Sequence, residues 1–365
     1  MESTMPEIKP LRAPTDIFLE ITSLCNLNCK HCNVYPFRKD PNEFRFEEWV
    51  RLFDRLVELK VFTLWISGGE PFMREDFFDL LDAIHERPLR IKGLNTNGTL
   101  VTEETARRLK GYRKLGVVQV GLDGATAASC DRLRGKGVFD RAVRGTKRLV
   151  EAGLPVTFFT VFTKYNLHEI RAMAELARSL GVLQVSYNIL LPQGNALHFF
   201  DEIALSDEEW RRAIRETGEV AQAFPGIVGG PLKQCFDRFS TYEEALAEVE
   251  DAGPRYLSGC KTAITECTIM PDGRVLPCDR LQDLTAGNLR EKDLQEIWLE
   301  SEVLTEFRKR FDVLLDDLET CKGCPYQPLC TGGCPSLPYS LEGKLLARDP
   351  YSCYKFYKGE ETLRK

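Results

Sequence analysis

The stretch Cys25-Asn26-Leu27-Asn28-Cys29-Lys30-His31-Cys32 packs three cysteines into eight residues, and the next cysteine is Cys130. The residues before it, DIFLEIT (16–22), read as a strand. A structural zinc site takes four ligands, and no fourth cysteine or suitably spaced histidine lies nearby. His31 sits between two of the cysteines, where it can hardly reach the same ion. A 4Fe-4S cubane held by three thiolates fits the donor set and leaves one iron open for chemistry. Three ordinary buried cysteines are the plain alternative.

Outward from this loop the chain alternates strand and helix signals. FEEWVRLFDRLVEL (46–59) has helical periodicity, VFTLWISG (61–68) reads as a strand, and REDFFDLLDAIHER (74–87) as a helix. RIKGLNTNG (90–98) precedes TEETARRLKGYR (102–113), and VVQVGLDG (117–124) precedes FDRAVRGTKRLVEAG (139–153). VTFFTVFT (156–163) precedes HEIRAMAELARSLG (168–181), and LQVSYNIL (183–190) closes the series. Six such units predict an α/β fold, a partial (β/α)6 barrel of parallel strands over 16–196. An open sheet is the other solution for six strands. Residues 1–15 read as an N-terminal extension and 197–258 as a polar, helical connecting region. From 259 to 365 the texture changes to eight cysteines, many Gly and Pro, and little periodicity. That composition predicts a small cysteine-rich domain organised by metal.

The formal net charge is -6, with 43% hydrophobic and 28% charged residues. A substantial core is expected. No basic surface is implied, so neither nucleic acid nor an anionic membrane is expected as a partner. No run approaches the roughly 18 apolar residues of a membrane span. MESTMPEIKPLRAPTD lacks the apolar centre of a signal peptide. A cytoplasmic location is therefore expected, and that compartment keeps thiols reduced. Thirteen cysteines, ten of them in tight spacing patterns, then point to metal rather than disulfides.

Three cysteines in C-x3-C-x2-C spacing, after the first strand of a six-unit β/α series, resemble the radical S-adenosylmethionine (SAM) superfamily. The resemblance implies that the open iron chelates the amino and carboxylate groups of SAM. One electron from the reduced cluster then splits the sulfonium, and the resulting 5′-deoxyadenosyl radical abstracts hydrogen from a substrate C–H bond. His31 occupies the position where the family usually has an aromatic residue near the adenine. Ser67-Gly68-Gly69-Glu70-Pro71 matches the family's GGEP motif, whose glycine backbone can approach the SAM amino group without a Cβ in the way. Asn97 ends the third strand run. Asp123 ends the fourth and is a candidate acceptor for ribose hydroxyls. Arg134 resembles the family arginine that holds the SAM carboxylate. The first three motifs fall at carboxyl ends of strands, where parallel β/α folds bind ligands. Turn formation and surface charge are the plain readings of Asn97, Asp123 and Arg134.

The second cysteine set runs Cys260, Cys278, then Cys321-x2-Cys324-x5-Cys330-x3-Cys334, and Cys353. It resembles the seven-cysteine SPASM extension of many radical SAM enzymes. The resemblance implies two auxiliary clusters, making three 4Fe-4S clusters in all. The first would use Cys260, Cys278 and Cys334, the second Cys321, Cys324, Cys330 and Cys353. Cys267 lies close to where the formylglycine-forming sulfatase activators supply a fourth ligand, and is assigned to the first. Asp279 lies where those activators place their catalytic base. A partly desolvated carboxylate beside a cluster would have a raised pKa suited to proton uptake. A zinc ribbon is the alternative for 321–353, and a structural role the alternative for Asp279. Cys130 and Cys235 fall outside both patterns and read as ordinary thiols.

The expectation is a radical SAM/SPASM oxidoreductase or maturase acting on a peptide or protein side chain. Its substrate radical would be oxidised through the auxiliary clusters, giving a cross-link, a dehydrogenation or a formylglycine-type product. The alternative is oxidation, epimerisation or decarboxylation of a small metabolite such as a sugar or tetrapyrrole. A non-catalytic iron–sulfur or zinc protein is the alternative of another class. About fifteen residues precede the first strand, leaving no room there for a leader-peptide-binding domain. A peptide substrate would need a separate leader-peptide-binding protein or direct recognition in the cleft. An electron donor such as flavodoxin or ferredoxin completes the expected partners.

Overall fold

Runs of β-branched and aromatic residues, separated by amphipathic helices, build a parallel sheet in the computed structural model. Residues 10–34, 40, 42–249 and 253–362 are described; residues 1–9 of the N-terminal extension and 250–252 of the connecting region lie outside them. The strands are β1 (Asp16–Glu20), β2 (Thr63–Ser67), β3 (Arg90–Thr96), β4 (Leu115–Gly121), β5 (Val156–Val161) and β6 (Gln184–Asn188). They pair in parallel and in sequence order, from Asp16 opposite Thr63 through to Val161 opposite Asn188. A short strand, β7 (Val228–Gly229), extends the β6 edge. The fold is thus mixed α/β with the parallel sheet of a partial barrel.

The first five strands stop before the end of the run that signals each. Thr22, Gly68, Asn97, Asp123 and Thr163 all leave the ladder and enter the loops. The apolar centres stay inside: Leu19, Leu64, Leu94, Val118, Val120, Phe158 and Val185 have no exposed surface. Burying side chains of this size stabilises by about 1.5–3 kcal/mol each.

The helices that cover the sheet follow their periodicity. In α1 (Phe46–Glu58) the residues Trp49, Leu52, Phe53 and Leu56 form the buried stripe. α2 (Phe77–His85), α3 (Glu103–Lys110), α5 (Val138–Glu151) and α6 (Ile170–Leu180) occupy the other predicted stretches. Among the helices over the sheet, α4 (Ala127–Arg134) has no counterpart in the sequence pattern. Its apolar stripe is too short to stand out, and its start is fixed from outside. The Thr126 side chain caps it, and the buried Glu169 accepts from the Ala125 N–H and the Thr126 and Ser129 hydroxyls.

The residues divide into two packed units. One comprises 15–236 with 268–274, the other the described parts of 1–14, 237–267 and 275–365. The helical stretch 197–258 is shared between them, divided after Phe236. In the second unit short helices and turns surround small cores. Leu257, Leu315 and Cys321 form one, with Val313, Leu318 and Cys330 against it. Trp298 and Phe307 are fully buried, and the Trp298 indole donates to the Leu11 carbonyl at 2.8 Å.

Candidate active site

The carboxyl ends of β1 to β5 open on a cavity of about 210 Å³. Cys25, Cys29 and Cys32 line it, as do Gly68, Gly69 and Asn97. His31 and Arg134 add charged or ionisable groups to the wall. Burial pushes all three thiols up, Cys29 to about 12. Thiolates are costly there unless a metal centre compensates them, and the donor chemistry fits iron–sulfur ligation. Among the described residues, no three Cys, His, Asp or Glu side chains are arranged around a single metal ion.

GGEP is bound to the entry of the cysteine loop. The Gly69 N–H donates to the Thr22 carbonyl at 2.7 Å, and the Glu70 N–H to the Leu24 carbonyl at 2.8 Å. A Cβ on Gly69 would lie 2.4 Å from the Leu24 oxygen, so close approach of chain to chain requires glycine here. Pro71, itself buried, begins the short turn that follows. The Glu70 carboxylate is fully buried, accepting from the Asn97 N–H at 2.6 Å and the Thr96 hydroxyl at 2.8 Å. It therefore ties the end of β2 to the end of β3. The Asn97 amide, so held, donates to Asn26 at 2.8 Å and lies 4.0 Å from the Cys25 sulfur.

Asp123, also fully buried, gathers two partners. Arg134 Nε is 2.5 Å from its Oδ2, and His31 Nε2 is 2.9 Å from the same oxygen. Its other oxygen accepts from the Val161 N–H at 2.6 Å. Burial alone would raise this carboxyl, but Arg134 and His31 hold it well below the usual carboxylate range. Its oxygens are thus occupied by the protein. The Arg134 Nη atoms lie over Gly121, and His31 Nδ1 is buried with no hydrogen-bond partner among the described residues. These are polar groups at a cavity wall with capacity left for a ligand.

One brace escapes sequence reasoning. After β6, the Asn195 amide donates to the Cys29 carbonyl at 2.8 Å, and the Ala196 N–H to the Cys32 carbonyl at 3.0 Å. Gly194 has φ +54°, and a Cβ there would lie 2.4 Å from the Asn33 backbone. The run Pro192-Gln193-Gly194-Asn195 signals a turn, but nothing in it names its distant partner.

In the second unit Cys321, Cys324, Cys330 and Cys353 line one cavity, with Tyr242 and Arg348 beside them. Cys260, Cys278 and Cys334 form another group: Cys334 acts electrostatically on both Cys260 and Cys278. Burial pushes these two thiols up, Cys278 far above its ordinary range. The charged groups acting on Cys267 are Arg308 and Glu266, and none of those three cysteines is among them. Asp279 is half-buried and accepts from the Cys278 thiol at 3.1 Å.

Comparison with known proteins agrees with this arrangement. Residues 19–177 match the Radical SAM superfamily, and residues 260–325 match SPASM, an iron-sulfur cluster-binding domain. The chain belongs to the radical SAM superfamily and carries a SPASM domain. It is 32% identical to an AdoMet-dependent heme synthase of Methanosarcina barkeri, covering 94% of this chain and 97% of that protein. It is 30% identical to the mycofactocin maturase MftC of Mycolicibacterium smegmatis, over 93% of this chain and 83% of that one. In fold it resembles Streptococcus suis SuiB, crystallised with its precursor peptide SuiA. That likeness has a TM-score of 0.71 and 20% identity, covering 94% of this chain and 76% of SuiB. Among the described residues no helix is long and apolar enough to cross a membrane.

Proposed function

We propose that the protein is a radical SAM oxidoreductase that modifies a peptide or protein side chain and passes the substrate's electron to auxiliary clusters. The observation that carries this reading is the cavity lined by Cys321, Cys324, Cys330 and Cys353. Four thiols around one space suit a fully ligated centre, whose use is electron transfer rather than cofactor chelation.

Cys25, Cys29 and Cys32 would hold a 4Fe-4S cluster, which with SAM would supply one-electron, hydrogen-abstracting chemistry. The remaining roles belong to this chain. Asn97 and Arg134 border the cofactor cavity and supply donors, and Asp123 orients the Arg134 guanidinium. Gly68 and Gly69 bring backbone to the cavity wall, and Glu70 and Pro71 fix that backbone. His31 offers Nδ1 toward the adenosyl moiety. Cys260, Cys278 and Cys334 hold the first auxiliary centre, and Asp279 beside it takes the substrate's proton. The surroundings of Cys267 favour leaving it out of that ligand set, so one iron there lacks a cysteine. Flavodoxin or ferredoxin is the proposed electron donor, and a separate leader-binding protein a proposed partner.

The test is anaerobic incubation of the reconstituted protein with SAM, dithionite and candidate peptides. The reading expects 5′-deoxyadenosine and a peptide lighter by its lost hydrogens. No 5′-deoxyadenosine under strong reductant would end it. A second reading, oxidation of a tetrapyrrole side chain, is favoured by the similarity to heme synthase. Loss of carbon dioxide from an added porphyrin would select it.

A further inference from the structure

Arg310 is a deeply buried cation near the first auxiliary cysteines, with 1% of its surface exposed. Its Nη1 donates to the carbonyls of Leu345 and Ala347, the latter at 3.0 Å. Its Nη2 is buried and has no hydrogen-bond partner among the described residues. Burial pushes the guanidinium pKa down, and the groups that act against this are Cys260, Cys334 and Asp349.

Asp349 is committed elsewhere. It accepts from the N–H groups of Cys334, Tyr351 and Ser352 and from the Ser352 hydroxyl. Arg280 is a second cation at the same cysteines, but Asp279 acts on it as well. Arg348, beside Cys321 and Cys353, has its charge met by Glu361 at 2.5 Å. Arg310 has no such partner among the described residues. A buried guanidinium without an anion is costly, and natural proteins pair such groups.

We infer that Arg310 is the built-in counter-charge of an anionic centre at Cys260, Cys278 and Cys334, its free Nη2 N–H being the donor kept for that centre's sulfurs. This rests on the cluster assignment above. A fixed cation and an N–H donor beside an iron–sulfur centre favour the form carrying one more electron, and so raise its potential.

The experiment uses the full chain, reconstituted anaerobically with iron and sulfide, as wild type, Arg310→Gln and Arg310→Lys. Iron content and redox titration followed by electron paramagnetic resonance are read, with Cys278→Ala identifying the signal of the first auxiliary centre. In Arg310→Gln, at the solution potential that half-reduces the wild-type centre, the reduced-to-oxidised ratio should fall about tenfold. The other signals should stay put, and Arg310→Lys should keep the wild-type potential. Loss of that centre's iron in Arg310→Gln, with retention in Arg310→Lys, supports the same role. Full iron and an unmoved potential in Arg310→Gln overturn it, and so does equal iron loss in both variants, which would mean packing alone. Wild type with no iron at these cysteines overturns the cluster assignment itself.

Discussion

His31 Nε2 lies 2.9 Å from Asp123 Oδ2, so a residue inside the three-cysteine loop is bound to the chain beyond β4. The same oxygen holds Arg134 Nε at 2.5 Å. One carboxylate therefore sets two polar groups of the cofactor cavity. Replacing it by a neutral amide leaves a buried guanidinium uncompensated. Asp123→Asn should cost about 3–5 kcal/mol of folding stability in chemical denaturation. It should weaken SAM binding to the reconstituted protein at least about tenfold, measured by equilibrium dialysis. Unaltered SAM affinity would mean that the network does not orient the cavity wall.

Glu70 makes stability depend on pH. Burial raises its carboxyl from the ordinary 4.5 to about 7. Between those values the folded chain keeps a proton that the unfolded chain releases. The contribution is fully present below the lower value and is lost as pH rises through the upper one, about 3 kcal/mol at most. Metal-free wild type should thus lose stability between about pH 5 and about pH 8, relative to Glu70→Gln. Parallel pH profiles for the two proteins would refute the assignment.

Gly194→Ala tests the brace after β6. The new methyl meets the Asn33 backbone at 2.4 Å, at a φ of +54°. The strain should be about 1–3 kcal/mol. Iron analysis should find the variant short by the share of the N-terminal centre, while the second unit keeps its own.

Cys267 and Cys260 give opposite expectations. Cys260→Ser should lower iron per chain by about one cluster's worth, and Cys267→Ser should leave it unchanged. A matched loss in Cys267→Ser would restore it to the ligand set.

The strands and most helices were legible because each carries its period within its own residues. β4 and β5 announce themselves by β-branched and apolar runs, and α1 by Trp49, Leu52, Phe53 and Leu56. Helix α4 was not, since Glu169 fixes its start from more than forty positions away. The N-terminal cysteine loop was legible through its spacing, whereas the division of the later cysteines into two groups came from the family resemblance, since Cys334 lies between Cys330 and Cys353 in the chain. The duties of Glu70, Asp123 and Asn195 were not, because a hydrogen bond between distant segments leaves no local mark. GGEP reads as a cofactor motif, but Gly69 is also required by the Leu24 backbone.

The grip of Asn195 and Ala196 on the Cys29 and Cys32 carbonyls has an evolutionary corollary. Lengthening the chain between Asn188 and Ala196 would be felt directly by the cysteine loop. At the exposed turn around Gly226, extra residues meet no packed neighbour. Diversification among descendants of this chain is free at the second place and closed at the first.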